Sequence, residues 1–248
     1  MNPTIDTILN HRSIRKFTKE PLTQAHLDLI IDAARSSSTS SYLMAYTMIG
    51  VTDPEKKAAL ASISNQPYIK DNGHFVLFCG DYHRHMLKAN ETEKDTMAYN
   101  VQSTEYFMIA TVDATIAAQN MTIAAESLGI GACYIGSIKR DLDLVNDLFD
   151  LPEHVVPLFG LALGYPDEQQ EIKPKLPKEA VYFENTYKDD EAHKAALEQF
   201  DETIETYYRT RTTNKREDSW TKQMVKTLHN QRNDRLTPFV KEKKFNTR

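Results

Sequence analysis

The chain has 248 residues, 40% of them hydrophobic and 26% charged, which is ordinary for a soluble globular protein of one large or two small domains. Its net charge of −5 argues against a general nucleic-acid-binding protein, so any basic site must be local. Cys79 and Cys133 form no C-x-x-C pair, and the longest apolar run, 155–164, is too short to cross a bilayer. We therefore expect a cytoplasmic protein with no nucleic-acid or membrane partner.

The first third of the chain alternates helical and strand patterns. Thr23 is placed to cap a helix with an apolar stripe that includes Ile30 and Ala34, and the serine-rich run 36–41 ends it. The other elements predicted here are a short helix over 3–9, a strand over 45–51, a helix from Pro54 to about 64 and a buried strand over 75–79.

A long apolar helix over 102–128 is the central element of the next third, and Gly129 ends it. We expect this helix to be buried over much of its circumference. The expectation depends on the spacing of its apolar residues, which include Phe107, Ile109, Val112, Ile116, Met121, Ile123 and Ala124. Strands over 133–135 and 156–164 follow, separated by a helix over 142–149.

The last quarter of the chain is helical. The proline-interrupted segment 173–177 cannot be regular structure, and helical patterns follow over 191–208, 220–228 and 236–244. We expect a core domain over 1–180 and a helical C-terminal extension over 181–248 that packs on the core or on a partner subunit.

Several common site motifs are absent from the sequence. It has no G-x-G-x-x-G, no G-x-x-x-x-G-K-[ST], no G-x-S-x-G and no H-E-x-x-H. We therefore expect neither a Rossmann domain nor a serine hydrolase, and we predict no metal site. The triplet His83-Arg84-His85 is interpreted as the polar start of a helix.

Five polar clusters lie at junctions between the predicted elements, where loops on a rigid scaffold form binding sites. Their arginine forks, serine hydroxyls and histidine nitrogens point to an anionic ligand with a flat hydrogen-bonding ring, although a solvated charge run is the alternative for each basic cluster. Lys173 and Lys175 flank a proline in an extended segment, so they point to the same side. The clusters are 11–15, 38–41, 65–67, 134–137 and 173–175.

The ordered set of these motifs resembles the nitroreductase family of flavoproteins, and within it the subgroup of oxygen-insensitive nitroreductase A and flavin reductase P. The resemblance rests on His11-Arg12-Ser13-Ile14-Arg15-Lys16-Phe17, the serines before Tyr42-Leu43, Gln66-Pro67-Tyr68, Glu126-Ser127-Leu128-Gly129, Tyr134-Ile135-Gly136, Pro157-Leu158-Phe159-Gly160-Leu161, Lys173-Pro174-Lys175-Leu176-Pro177 and the region from Tyr207 to Trp220. It implies an α+β fold with a central mixed, mainly antiparallel sheet flanked by helices, a helical C-terminal arm and a homodimer.

The resemblance also implies FMN at the subunit interface. Arg15 would lie near the flavin pyrimidine, where a fixed cation stabilises the negative charge of reduction, and Gln66 would hydrogen-bond the ring. Tyr42 would face the substrate, or be a half-buried aromatic residue. The other FMN residues would be His11, Arg12, Ser13, Lys173 and Lys175 at the phosphate, Ser38, Thr39, Ser40 and Ser41 in part from the partner subunit, and Tyr134, Ile135, Gly136 and Ser137 along the ring.

Two classes of function follow from this resemblance. The first is an NADPH-dependent oxidoreductase that passes two electrons by a ping-pong mechanism to nitroaromatics, quinones or flavins, with free FMN or a disulfide as a further acceptor. The second is a non-catalytic flavin-binding regulatory or storage protein. Arg211, Lys215 and Arg216 resemble the subgroup's contacts to the NADPH 2′-phosphate and favour the enzyme, although a solvated helix face is the alternative.

The remaining conspicuous residues are interpreted as structural. Cys79 and Cys133 lie in or beside buried strand patterns and are expected to be inert. Trp220, Tyr207 and Tyr208 have helical spacing, which favours packing over ligand stacking.

Overall fold

A computed structural model describes residues 2–230 and 234–248. Contacts divide the chain into a larger unit, residues 2–170 with 234–248, and a smaller unit, residues 171–230. The domain ranges 1–180 and 181–248 stay a prediction.

The larger unit contains a sheet and the helices around it. Its strands are β1 (Tyr46–Val51), β2 (His74–Asp81), β3 (Gly131–Ile135) and β4 (Val155–Gly164). Its helices are α1 (Pro3–Leu9), α2 (Gln24–Arg35), α3 (Pro54–Ser64), α4 (Tyr68–Asp71), α5 (His83–Met86), α6 (Glu91–Val101), α7 (Thr104–Ser127), α8 (Leu142–Leu148) and α12 (Leu236–Glu242). Short 3₁₀ helices lie at Ser40–Tyr42 and Gly136–Arg140.

The sheet has the strand order β1-β2-β4-β3, and each neighbouring pair is antiparallel. Ser13 adds an isolated parallel bridge to Ala132 on β3. All residues of β2 are buried, as its apolar run predicts, because helices cover the central strands. The predicted α+β fold with a mainly antiparallel central sheet is confirmed. β1 and β3 form opposite edges, so the segments attached to them are far apart.

The predicted helix starts are confirmed by capping hydrogen bonds. The Thr23 side chain accepts the backbone N–H of His26 at the start of α2. Asp53 accepts the N–H groups of Glu55 and Lys56 at the start of α3. These bonds satisfy backbone donors that have no partner within their own helix.

The central helix α7 differs from its prediction in two ways. It begins at Thr104 rather than at 102, because Ser103 caps it while Gln102 ends α6. Burial over much of its circumference is wrong for Val112 and Ile116, which are 46% and 38% exposed, whereas Met121 is buried. The buried face consists mainly of alanines at 110, 114, 117, 118 and 125.

Those alanines explain the difference, since small side chains let α7 pack closely against α2 and the sheet while larger residues point outward. Met108, Val112 and Ile116 follow one another at intervals of four residues and therefore share one exposed face of the helix. We call these three residues the α7 stripe.

The smaller unit consists of α9 (Lys178–Val181), α10 (Asp190–Thr210) and α11 (Trp220–His229), preceded by an irregular segment over 171–177. Phe200, Ile204 and Tyr208 on α10 form its apolar cluster, against which Tyr207 and Trp220 pack. The predicted helices and the packing roles of these aromatic residues are confirmed.

Candidate functional site

The segment 11–15 leaves α1 and runs beside β3. The Ile14 N–H donates to the Ala132 carbonyl at 3.0 Å, and the Ile14 side chain is buried. Neighbours in extended backbone point to opposite sides, so Ser13 and Arg15 face away from the core. Gly131 permits the close approach, because a Cβ there would lie 2.7 Å from Ile14 Cγ1.

His11 is held in place by a carboxylate. Its Nδ1 lies 2.6 Å from Oε1 of Glu126, near the end of α7, and both side chains are partly buried. This contact fixes the plane of the ring and leaves Nε2 for a ligand.

A second carboxylate fixes the backbone at Arg15. Glu168 Oε1 accepts the N–H of Arg15 at 2.6 Å and that of Lys16 at 3.1 Å. The Arg15 side chain itself is exposed, so its guanidinium is presented to the surface from a backbone that cannot shift freely.

Tyr68 joins Arg15 to β3. Its hydroxyl lies 3.6 Å from Cys133 Sγ, and burial and the contact with Cys133 raise the Tyr68 pKa, while the charge of Arg15 opposes that shift. Gln66 lies two residues earlier, where its N–H donates to Ala61 and closes the end of α3. The structure thus brings the predicted residues Arg15 and Gln66 to one region of the surface beside β3.

The predicted segment 134–137 begins at the end of β3. The Tyr134 hydroxyl contacts Thr122 at 3.1 Å and Gln119 at 3.3 Å, and burial raises its pKa. Ile135 is buried in the core, so its side chain is not accessible to a ligand. A Cβ on Gly136 would meet no atom of the described residues within 4 Å apart from its chain neighbours, so open space lies there.

A cavity of about 360 Å³ is lined by residues of α1, of the segment 11–15 and of the start of β3, and not by residues 134–137. Its lining includes Arg12, Ile14, Glu126, Gly129 and Gly131. The cavity lies within the larger unit and is bordered by residues 11–15, which we call the His11 segment.

The predicted residues Ser38 to Tyr42 lie at a different place, before the edge strand β1. Together with Arg35 and Arg84, all of these residues except Ser40 line an open groove of about 840 Å³. Tyr42 is 83% exposed rather than half-buried. The Ser40 N–H donates to Asp113 on α7, whereas His11 contacts Glu126, and these positions are roughly 20 Å apart along the helix at about 1.5 Å per residue. One chain therefore does not bring the serines to the His11 segment.

The smaller unit gathers cations around a tyrosine. The guanidinium of Arg216 lies 3.9 Å from the Tyr208 ring centre, that of Arg211 lies 5.9 Å away, and Lys173 Nζ lies 5.5 Å away. Burial opposes ionisation of Tyr208, but its hydrogen bond with Lys173 and the charges of Lys173 and Arg216 lower its pKa below the ordinary value. Lys215 is exposed.

Arg216 also has polar partners of its own. Its Nε lies 3.1 Å from the Asp218 carboxylate, and Nη2 donates to Gln223 at 3.3 Å. Lys175 is exposed two residues beyond Lys173. The structure therefore gathers Lys173, predicted for the FMN phosphate, and Arg211 and Arg216, predicted for the NADPH 2′-phosphate, at one place within this unit.

Comparison with known proteins assigns the chain. Residues 8–165 match the model of the nitroreductase family, and residues 173–248 match that of the nitroreductase family C-terminal domain. The chain belongs to the nitroreductase family.

Individual relatives resemble this chain over its whole length. FMN reductase (NADPH) from Bacillus subtilis is 49% identical over 99% of each chain. The solved structure of the NfrA1 nitroreductase from the same organism has a TM-score of 0.94 at 47% identity, covering 99% of this chain and 100% of that one. The structure of NADPH:FMN oxidoreductase from Vibrio harveyi, complexed with NAD⁺, has a TM-score of 0.87 at 36% identity and covers all of both chains.

Sequence reasoning missed the residues that position the predicted site residues. Glu126 and Tyr208 were visible only as parts of motifs, and Glu168 and Asp113 carried no signal for a role at a ligand. Each acts on a residue distant in the chain, so spacing alone does not reveal it.

The described residues contain neither a membrane-spanning helix nor a metal-binding cluster of side chains. Over 2–230 and 234–248, no helix is both long and apolar enough to pass through a bilayer. In the same ranges, no group of three or more His, Cys, Asp or Glu side chains is arranged to hold a metal ion.

Proposed function

We propose that this chain is an NADPH-dependent FMN oxidoreductase that passes two electrons, by a ping-pong mechanism, to small acceptors such as nitroaromatics, quinones or flavins. The names of its relatives state NADPH, FMN and nitroreductase, which supports the assignment. The observation in this structure that carries it is the convergence of the His11 segment, Gln66 and the open space beside Gly136 at the end of β3.

The donors of this region fit FMN. His11 and Ser13 offer neutral or charged donors for a phosphate, and Gln66 offers an amide for a flat ring with hydrogen-bonding edges. The open space at Gly136 leaves room for such a ring against the backbone. FMN, when bound, supplies the hydride chemistry. Lys173 and Lys175 are proposed to add positive charge at the phosphate.

Arg15 is proposed to stabilise the negative charge that reduction leaves on the pyrimidine edge of the ring. A guanidinium is always charged, and a fixed cation needs little reorganisation to stabilise charge that develops beside it. Glu168 fixes the Arg15 backbone through two N–H groups, which supports a defined position for that cation.

Arg211, Lys215 and Arg216 are proposed to contact the 2′-phosphate of NADPH. Arg216 lies on the face of Tyr208 and is oriented by Asp218, whereas Lys215 is exposed. Arg211 and Arg216 supply the fork geometry that recognises a phosphate, and this supports a preference for NADPH over NADH.

We also propose a homodimer in which each flavin site uses both chains. The α7 stripe exposes three large apolar side chains on one face, and the serines at 38–41 lie near the opposite end of α7 from His11. A two-fold axis that crossed α7 about midway between Asp113 and Glu126 would bring the serines of one subunit beside the His11 segment of the other. An obligate interface of this kind buries on the order of 2,000 Å² or more.

The cysteine content favours a cytoplasmic enzyme. Cys79 and Cys133 are both free and buried, and burial raises the pKa of the Cys79 thiol. Such residues behave as small apolar side chains in a reducing compartment.

The experiment that tests the function starts with the colour of the purified full-length protein. We expect a yellow dimer with one FMN per chain that bleaches anaerobically when one equivalent of NADPH is added. A protein that binds flavin but stays yellow with NADPH is the regulatory or storage protein instead. A protein that binds no flavin contradicts both.

Steady-state kinetics then identify the acceptor. Nitrofurans, quinones, free FMN and low-molecular-weight disulfides are compared at varied NADPH. Parallel double-reciprocal plots are expected, because the oxidised nucleotide leaves before the acceptor enters the same cleft.

A further inference from the structure

The loop between the serines and β1 has an unfavourable backbone. Ser41, Tyr42 and Met44 have φ values of 48°, 61° and 49°, in the left-handed region that residues other than glycine rarely adopt. Such a conformation persists when the surroundings hold it, and it is concentrated at functional sites. We call residues 38–45 the serine loop.

Asp113 holds the serine loop from the core side. Its side chain is completely buried on α7. Oδ1 accepts the Ser40 N–H at 2.9 Å, and Oδ2 accepts the Ala45 N–H at 3.1 Å. One carboxylate therefore fixes both ends of the strained stretch.

Helix α5 holds the same loop from the other side. Arg84 Nη2 donates to the Met44 carbonyl at 2.8 Å and also to the Tyr46 carbonyl. His85 Nε2 lies 2.7 Å from the Leu43 carbonyl. Side chains thus satisfy the N–H groups of Ser40 and Ala45 and the carbonyl groups of Leu43 and Met44, while Tyr42 is 83% exposed.

We propose that Asp113 is a positioning residue that holds the serine loop in the shape with which one subunit completes the flavin site of the other. This inference rests on the proposed function, since it assumes FMN and the dimer. The two N–H groups require two acceptor oxygens, which an ionised carboxylate provides and an amide does not. With asparagine, an NH₂ group would face one of the backbone N–H groups.

The first test compares Asp113→Asn with Glu105→Gln, the same carboxylate-to-amide change in the exposed first turn of α7. We expect Asp113→Asn to remain a dimer but to bind FMN on the order of tenfold more weakly, with an altered visible circular dichroism of the bound flavin. Glu105→Gln should match the wild type in both. Lower stability with unchanged FMN affinity and flavin spectrum would overturn the proposal.

Mixed dimers test whether Asp113 acts across the interface. A chain with Asp113→Asn is co-expressed with a chain carrying His11→Ala and Ser13→Ala, and the doubly tagged dimer is isolated. In that dimer one site combines both defects and the other has none, so we expect one FMN per dimer with wild-type affinity. Two weakened sites would mean that Asp113 acts within its own subunit and would overturn the proposal.

A failure of the proposed function can be distinguished from a failure of this inference. A wild-type protein that is monomeric or binds no FMN contradicts the function, whatever Asp113 does. Should Asp113→Asn not fold, Arg84→Met releases the same loop from its half-exposed side. Weaker FMN binding by a folded Arg84→Met dimer supports the role of the loop geometry, and unchanged binding overturns it.

Discussion

The proposed role of Lys173 and Lys175 at the FMN phosphate can be tested by removing their charges. We predict that Lys173→Ala combined with Lys175→Ala yields largely apo protein, since each lost charge-assisted contact costs about 1.5 to 3 kcal/mol. Equilibrium titration with FMN measures the loss. The control is Lys178→Ala, since the Lys178 side chain lies over the Tyr182 ring. Stoichiometric FMN in the double variant would contradict the assignment.

Arg211 offers the sharper test of nucleotide choice, because Arg216 is also tied to Asp218 and Gln223 and its loss disturbs packing on Tyr208. We expect Arg211→Ala to lower kcat/KM for NADPH about ten- to a hundredfold, while kcat/KM for NADH changes little. Both are measured at low salt, with Arg216→Ala alongside. An equal loss with the two nucleotides would assign Arg211 to folding or assembly.

A substitution at Gly136 is expected to weaken flavin binding without affecting folding. A side chain there meets open space in the protein, so Gly136→Val should leave the free energy of unfolding nearly unchanged. The same side chain would occupy the volume proposed for the ring, so FMN affinity should fall at least tenfold. Gly129→Ala is the contrasting variant, because its φ of 75° makes alanine unfavourable by about 1 to 2 kcal/mol. Unchanged FMN affinity in Gly136→Val would show that the flavin ring does not bind in this space.

At the level of elements, the sequence predicted what local patterns determine. Caps such as Thr23 and Asp53 bond to N–H groups within their own turn, so helix starts are readable from neighbouring residues. Strand β2 could be predicted because residues 75–79 form a continuous run of apolar side chains, and the structure shows them buried.

The rest depends on contacts between distant residues. The serine loop takes its shape from Asp113, and His11 takes its orientation from Glu126, and neither pairing leaves a periodic trace in the chain. The burial of α7 was predicted wrongly for Val112 and Ile116, because periodicity identifies an apolar helix but not which of two apolar faces meets the core.

The exposed face of α7 gives the element-scale prediction. Val112→Glu places a charge in the α7 stripe, where it would be buried in the proposed dimer, so we expect a monomer that has lost tight FMN binding. Sedimentation velocity and FMN titration measure both. Leu144→Glu on α8, a residue of similar exposure, is the control. A Val112→Glu dimer with normal FMN binding would place the interface elsewhere.

Over the whole molecule, buried histidines make stability depend on pH. Burial lowers the pKa of His74 and of His154 below the ordinary 6.5, and the charge of Lys57 adds to the effect at His74. Between the lowered pKa of each folded histidine and the ordinary 6.5, the unfolded chain binds protons that the folded chain does not. The free energy of unfolding should therefore decrease as pH falls below about 6.5.

Urea denaturation between about pH 5 and 8 measures this dependence. His74→Gln should flatten the slope below pH 6.5. Carboxylates with a lowered pKa, such as Asp143 beside Arg235, act only near and below their ordinary 3.8 and do not obscure this window. A slope that His74→Gln leaves unchanged would assign the effect to other groups.

Residues 234–248 belong to the larger unit although they follow the smaller unit in the chain. The larger unit therefore cannot fold completely until these residues have been synthesised. Phe239, Val240 and Phe245 complete a core cluster that Tyr82 and Phe107 begin, yet the smaller unit is made in between. At about 5 to 20 residues per second, the ribosome needs on the order of several seconds for that interval. Throughout it, the nascent core lacks the rings of Phe239 and Phe245, so the chain is open to chaperones and proteases until these residues have emerged.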